Sequence, residues 1–266
     1  MSLRSAQNIA VKRKGILLED LTWQEAEARL RSETIVVIPI GAASKEHGPH
    51  LKLKNDWLLA EYFKGEVIES IDVVVAPTVN YNYYPAFLEY PGSISLRLET
   101  ARDLMADICR SLARYGPQRF YVLNTGISTV RPLKLAAEVL ADEGIQLRYT
   151  DLRKITESVA AGIEQQEGGT HADEIETSMM LFIAPSAVDM SKAVKDFHPS
   201  PVGGLTRDPQ GEGAYSVSGI YGDPTLATRE TGEILVRLAV AGILKEIEEF
   251  RRVASKDSRK VHSLRC

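Results

Sequence analysis

Residues 34–40 read TIVVIPI, and this run decides the class of fold that the chain adopts. The run is short, continuous and rich in β-branched side chains, with no alternation between apolar and polar positions. Such a pattern is typical of a strand that is buried on both faces, as the strands of a parallel sheet are. We therefore expect residues 34–40 to form a strand inside such a sheet.

Two further runs share this character, and helical patterns separate all three. Residues 71–79 read IDVVVAPTV and residues 119–126 read RFYVLNTG. The segments between the runs, residues 56–70 and 98–116, have the pattern of helices. Alternation of strand and helix is the order found in α/β proteins with a mostly parallel sheet. The sequence therefore predicts an α/β fold.

The second half of the chain continues the alternation with shorter elements. We expect helices at 131–144 and 153–165 on either side of a strand at 146–152. Thr170 is expected to cap the next helix, because two acidic residues would then lie in its first turn. Residues 198–224 are rich in Gly, Pro and Ser, and a loop of this length is usually functional.

The composition is that of one globular domain. Hydrophobic residues make up 44% and charged residues 26% of the 266 positions, which is enough for a core without cross-links. We expect this domain to span residues 1–250 and residues 251–266 to form a basic C-terminal tail.

Charge and cysteine content restrict the classes of function. A formal net charge of −4 gives no basic field for nucleic acid or an anionic membrane, so a small-molecule substrate or a protein partner is expected. No stretch approaches the roughly 20 apolar residues of a membrane span, and no secretory signal is recognisable. Cys109 and Cys266 are the only cysteines, so no disulfide framework is expected. These features predict a soluble, cytoplasmic protein.

Three loops are candidates for the functional site. Parallel sheets place their working loops at the carboxyl ends of the strands. Here those loops are residues 41–56, 78–95 and 124–131. Their shared edge is where we expect the catalytic residues.

The first loop contains a histidine and an aspartate suited to a metal ion. His47 and Asp56 offer the nitrogen and oxygen ligands that zinc or manganese accepts. In an alternative interpretation, His47 and His50 hydrogen-bond a turn built by Gly48 and Pro49. Spacing alone does not decide between the two.

Four segments resemble the creatininase (creatinine amidohydrolase) family, and they occur in the family's order. The first and third segments are similar to the family patterns Gly-Ser-x-Glu-Gln-His-Gly-Pro-His-Leu-Pro-Leu-x-x-Asp and His-Ala-Gly-Glu-x-Glu-Thr-Ser. The resemblance implies a three-layer α/β/α fold, a binuclear metal centre, hydrolysis of a C–N bond in a small amide, and a homo-oligomer, often a hexamer. The segments are PIGAASKEHGPHLKLKND (39–56), YPGSISL (90–96), HADEIETSMML (171–181) and YGDPTLATRETGEIL (221–235).

The resemblance also assigns metal ligands, and two of them are missing. His47, Asp56 and Glu176 match ligands of the family. The family's first glutamate ligand is Lys45 here, and the histidine of a third loop, Asn-Gly-His-Gly-Gly-Asn in the family, is Gly126. The two missing ligands serve mainly one of the family's two ions. The resemblance therefore implies at most one divalent ion, zinc or manganese, or none.

Two further residues are candidates for catalysis. Lys45 could neutralise Asp56, polarise a substrate oxygen or act as an acid or base; in the alternative it points to solvent. His171 matches a family histidine that lies beside the substrate and helps proton transfer. The alternative for His171 is a contact that caps a helix end.

The altered third loop is expected to contact the substrate. Asn124, Thr125, Ser128 and Arg131 offer amide, hydroxyl and guanidinium groups, which suit a polar or anionic substrate. Creatinine itself is therefore a doubtful substrate. The aromatic residues of the second loop, residues 81–90, are expected to pack an oligomer interface rather than line the pocket.

The preferred interpretation is a creatininase-like, metal-dependent hydrolase that acts on a C–N bond of a small cyclic or linear amide through metal-activated water. One alternative is a metal-independent enzyme in which Lys45 assists chemistry on a keto sugar or polyol. A second alternative is a non-catalytic binding homologue that has lost the binuclear centre.

Overall fold

Strand β2, residues Ile35–Ile40, lies at the centre of a five-stranded parallel sheet. The computed structural model describes residues 13–200 and 203–263, without the side chains of residues 253–263. The strand order is β1-β3-β2-β4-β5, and every neighbouring pair is parallel. The other strands of the sheet are β1 (Ile16–Leu17), β3 (Val74–Val75), β4 (Arg119–Asn124) and β5 (Gln146–Tyr149).

Seven α-helices in the described part of the chain accompany the strands. Their bounds are α1 (Trp23–Arg29), α2 (Asn55–Ser70), α3 (Leu98–Ala113), α4 (Val130–Ala141), α5 (Leu152–Ile163), α6 (Glu174–Ile183) and α7 (Arg229–Ser263).

The side chains of β2 alternate between two hydrophobic clusters. Val37 belongs to a cluster with residues of α2, α6 and α7. Val36 and Ile38 belong to another, with residues of α3 and α4. Successive residues of a strand point to opposite faces, so a strand covered on both sides needs an unbroken apolar run. The predicted three-layer α/β/α fold is confirmed.

Two of the strands depart from their predicted bounds. Within the segment 71–79 only Val74 and Val75 form the ladder, because Pro77, after Ala76, has no N–H to donate. Val79 still donates its N–H to the carbonyl of Pro39, at 2.8 Å, so the chain stays beside β2. Strand β1 was not predicted, since two half-buried residues carry no detectable period.

The start of α6 differs from the prediction. Asp173, rather than Thr170, caps this helix by accepting the backbone N–H of Glu176 at 2.9 Å. Both residue types are good caps, so the sequence pattern alone did not select the right one. As a result His171 precedes the helix instead of lying in its first turn.

The region after residue 203 is less irregular than predicted. Strands β6 (Leu205–Thr206) and β7 (Ala214–Tyr215) pair within it.

The backbone of α7 continues past residue 250 to Ser263. No helix of the described residues combines the length and hydropathy needed to cross a bilayer.

Candidate active site

The three predicted loops meet at one edge of the sheet, because β2 lies between β3 and β4. The first loop leads directly into α2, where Asp56 occupies the first turn. Trp57 donates its N–H to the carbonyl of Ala42, at 3.1 Å, which fixes the start of α2 against the end of β2. A carboxylate is favourable at a helix N-terminus, so this position suits Asp56.

Asp56 uses its two oxygens for two different partners. Its Oδ2 lies 2.7 Å from Lys45 Nζ, and its Oδ1 lies 2.8 Å from His47 Nε2. Lys45 is 5% exposed and Asp56 is 1% exposed. Lys45 therefore points into the protein, and the alternative in which it points to solvent is wrong.

The ring of His47 is oriented by the main chain. Its Nδ1 lies 2.9 Å from the carbonyl oxygen of Lys45, so Nδ1 carries a proton and donates it. The other nitrogen, Nε2, then faces Asp56 Oδ1 and also Glu176 Oε1, at 3.4 Å. A carboxylate only accepts, so Nε2 donates a proton to Asp56 in this arrangement, and the same convergence of one nitrogen and two carboxylates suits a cation in place of that proton.

Glu176 reaches the site from the first turn of α6. Its Oε1 accepts a hydrogen bond from Asn55 Nδ2 at 2.8 Å, and its Oε2 accepts one from the N–H of Ala172 at 2.8 Å. Ala172 has a φ of 49°, an unusual conformation for a residue with a Cβ. This left-handed turn brings His171 and Glu176 to the same site although His171 lies outside the helix.

His171 joins the cluster through a residue that the sequence had not singled out as functional. Its Nε2 lies 3.0 Å from Oε2 of Glu46, and its Nδ1 lies 3.9 Å from Oε2 of Glu176. Its ring centroid is 4.3 Å from that of Phe87 and 5.0 Å from that of His47. The only sequence signal for Glu46 was that it stands where the family pattern has glutamine.

Aromatic rings cover the ammonium group of Lys45. Nζ lies 4.8 Å from the centroid of Phe87 and 5.6 Å from that of Tyr84, distances at which a cation is attracted to the ring face. Both aromatic residues are buried within the chain. The prediction that these two pack an oligomer interface is therefore wrong; they line the site.

The charges of the cluster stabilise one another. Burial alone would raise the pKa of Asp56, but the nearby Lys45 and His47 hold it well below its usual range. Burial likewise opposes ionisation of Glu176, and His47 and His171 lower its pKa overall. Burial and Lys45 lower the pKa of His47, yet Asp56 and Glu176 raise it more. Both carboxylates are thus held in the ionised form that binds cations.

The cluster contains groups that could hold a metal ion. Among the described residues, ligand atoms of His47, His171 and Glu176 lie within 4.8 Å of one another, and Asp56 Oδ1 adjoins His47. Imidazole and carboxylate groups are the nitrogen and oxygen ligands that zinc or manganese accepts. On the other side of Asp56, the Lys45 ammonium lies against Oδ2, and Gly126 has no side chain that could bind an ion.

The predicted substrate contacts of the third loop lie in different surroundings. Asn124 is buried and donates to the carbonyl of Gly126 at 2.8 Å. Thr125 Oγ1 donates to the carbonyl of Ile40 at 3.0 Å and lies 3.4 Å from the carbonyl oxygen of Asp56. Ser128 is partly buried and Arg131 is exposed. Thr125 therefore adjoins the cluster, and the substrate contacts of all four residues stay predictions.

His50 belongs to the scaffold of the site. It is 1% exposed, and its Nε2 lies 2.8 Å from Thr177 Oγ1. Burial lowers the pKa of His50 to about 4, so the ring is neutral near pH 7. The neutral ring packs behind the charged cluster.

Residues 19–247 match the model of the family described as creatininase, creatinine amidohydrolase, which is well over half of the chain. The creatinine amidohydrolase of Pseudomonas putida is 29% identical in an alignment of 259 residues that covers 89% of this chain and 97% of the relative. The mycofactocin precursor peptide peptidase of Mycolicibacterium smegmatis is also 29% identical, over 225 residues that cover 82% of this chain and 85% of the relative.

A solved structure of creatininase in a manganese form shares the fold. It superimposes with a TM-score of 0.73 at 28% identity and covers 89% of this chain and 99% of that chain. The similarity therefore extends over nearly the whole length of both proteins.

Proposed function

The chain belongs to the creatininase family, whose members are amidohydrolases, and from this premise we propose that it is a hydrolase with one divalent metal ion that cleaves a C–N bond in a small cyclic or linear amide. Zinc or manganese is the expected ion. The ion would be held by His47, Asp56 and Glu176.

One observation carries this proposal. His47 Nε2 and the oxygens Asp56 Oδ1 and Glu176 Oε1 converge, with Nε2 at 2.8 and 3.4 Å from the two oxygens. When bound there, a divalent ion supplies a Lewis acid and a nucleophilic water near neutral pH. Three protein ligands also leave a coordination position open, as catalytic sites require.

The ammonium of Lys45 supplies the positive charge that the family's second metal ion would supply. Its ammonium has three N–H donors, and Asp56 is its ion-pair partner at 2.7 Å. The remaining donors lie among the rings of Tyr84 and Phe87, in surroundings where a hydrogen bond is electrostatically strong. Lys45 binds the carbonyl oxygen of the amide and stabilises the negative charge that develops on it.

His171 transfers the proton. It takes a proton from the attacking water and delivers it to the leaving nitrogen, which departs as an amine as the water oxygen bonds to the carbonyl carbon. The position of its ring, with Nδ1 at 3.9 Å from Glu176 Oε2, supports this role.

The substrate differs from protein to protein among the relatives. One is named for creatinine and another for a precursor peptide, so both a ring amide and a peptide amide fall within the proposed class. We expect a substrate with polar or anionic groups that reach Thr125, Ser128 and Arg131. A homo-oligomer is the expected assembly, as the family resemblance implies.

Metal titration tests the proposal. Calorimetric titration of the chelator-treated full chain with Zn²⁺ or Mn²⁺ should give one ion per chain, and His47→Ala should remove this binding. His198→Ala is the matched control, because His198 is exposed, lies 3.4 Å from Asp196 and should leave the stoichiometry at one.

Activity supplies the second arm of the test. A panel of lactams, cyclic guanidino compounds and peptide amides should show release of amine that stops after chelation and returns with the ion. Two ions per chain, or turnover that chelation does not change, would overturn the proposal.

A further inference from the structure

Glu46 is buried in the site, and the described residues provide it with no lysine or arginine as a partner. It is 6% exposed. One oxygen, Oε1, accepts the N–H of Gly48, and the other, Oε2, lies 3.0 Å from His171 Nε2. Its own N–H donates to Ser93 Oγ at 3.0 Å. Both oxygens and the backbone of Glu46 are therefore fixed.

Gly219 closes the space around the Glu46 carboxylate. The backbone at Gly219 has a φ of +83°, and a Cβ at this position would collide with Oε1 and Cδ of Glu46. Glycine adopts this conformation without strain and leaves the room that the carboxylate occupies. The segment that contains Gly219 thus holds Glu46 against His171 and prevents it from turning away.

The chemistry of the pair dictates where the ring proton sits. A carboxylate only accepts hydrogen bonds, so the 3.0 Å contact requires that His171 Nε2 carries the proton. In the neutral ring the lone pair is then on Nδ1, on the side of Glu176. Glutamine, which the family pattern has at this position, offers both an N–H and an oxygen and would not fix the tautomer.

We propose that Glu46 is a positioning residue that locks His171 in the Nε2–H tautomer, so that Nδ1 faces Glu176 and accepts the proton of the reaction. This inference deepens the proposed function and rests on it for the role of His171 in proton transfer. The position of the ring proton is argued from the contact with Glu46 alone, and it can be measured without a substrate.

The tautomer can be read directly by spectroscopy. Solid-state NMR of the full chain labelled with ¹⁵N-histidine distinguishes a protonated from an unprotonated ring nitrogen, and the spectrum of His171→Gln identifies the signals of His171. At pH 8, with and without Zn²⁺, the Nε2–H form should exceed the Nδ1–H form by at least about tenfold, the size expected of one hydrogen bond to a charged group.

Glu46→Gln provides the decisive comparison. It preserves the shape of the side chain, and the Nδ1–H fraction of His171 should rise several-fold. Glu61→Gln is the matched control, because Glu61 is a partly buried glutamate that bonds Lys64 and Thr78 outside the site and should leave the tautomer unchanged. A kinetic arm, once a substrate is found, should show a lower kcat with a similar KM for Glu46→Gln.

The outcomes separate this inference from the proposed function. A wild-type ring whose neutral form is mainly Nδ1–H overturns the inference. So does an unchanged tautomer ratio in folded Glu46→Gln, with folding checked by circular dichroism. If the tautomer is as expected but no divalent ion binds, the proposed function fails and the role of Glu46 in fixing the ring stands.

Discussion

The two oxygens of Asp56 face two different environments. On the Oδ1 side, His47 and Glu176 form an open set of donors that can bind and release an ion. On the Oδ2 side, the ammonium of Lys45 lies 2.7 Å away under the rings of Tyr84 and Phe87. In the proposed function, one carboxylate serves an exchangeable cation on one side and the covalently tethered ammonium of Lys45 on the other. The comparison teaches that a side chain can carry the charge that a second ion would otherwise supply.

Removing the ammonium of Lys45 should have the largest effect on the free energy of unfolding. Lys45→Met leaves the Asp56 carboxylate buried without its ammonium partner, so we expect a loss of about 3–5 kcal/mol in the free energy of unfolding. Urea denaturation of the metal-free protein at pH 7 measures this loss. Lys64→Met is the control: Lys64 pairs with partly exposed Glu61 and Glu19, and its loss should cost about 1 kcal/mol or less. Equal losses in the two variants would contradict the distinction between the two sides of Asp56.

His50 gives a second test of the comparison between the two sides of Asp56. It lies on the side of Glu176, and its ring is held neutral. Its folded pKa of about 4 is below the ordinary value of 6.5. The unfolded chain therefore binds the proton first, so stability is fully present above pH 6.5 and is lost as the pH falls towards 4. The loss amounts to up to about 3 kcal/mol.

Denaturation at a series of pH values tests this behaviour. The non-titrating variant His50→Gln should lose less stability than the wild type between pH 6.5 and pH 4. Parallel curves for the two proteins would show that His50 does not titrate as proposed.

Removing the charge of Glu176 should weaken ion binding rather than destabilise the fold. Glu176→Gln removes one charged ligand, and we expect affinity for Zn²⁺ to fall by about 100-fold or more, since even outer partners of metal ligands contribute 10–100-fold. Competition with a fluorescent chelator measures the affinity. Glu230→Gln, in the first turn of α7, should leave the affinity unchanged. An unchanged affinity in Glu176→Gln would remove Glu176 from the ligand set.

The fold could be predicted from the sequence wherever an element is long or buried on both faces. The apolar runs of β2 and β4 predict the parallel sheet. The predicted helices lie within a few residues of the observed bounds. Two-residue strands such as β1 carry no period, and they form only because neighbouring backbone is already in place. The cap of α6 was assigned to Thr170 instead of Asp173, since a competing cap three residues away looks equally good in sequence.

The candidate site was predictable to the extent that a motif defined it. His47, Asp56 and Glu176 were assigned as ligands, and the structure brings them together with Lys45 and His171. The ligand roles themselves await the metal titration. Glu46 received no role because a pair separated by 125 positions is invisible without the fold, and only the left-handed turn at Ala172 places His171 within its reach.

The ion pair between Lys45 and Asp56 also has a consequence for the metal-free protein. A chelator or dialysis removes a free ion but not a side chain, so Asp56 keeps a counter-charge in the stripped protein. The repulsion between Asp56 and Glu176 in the metal-free protein is then weaker than it would be between two unpaired carboxylates. Under the proposed function, we expect the metal-free protein to take up its ion without a change of fold.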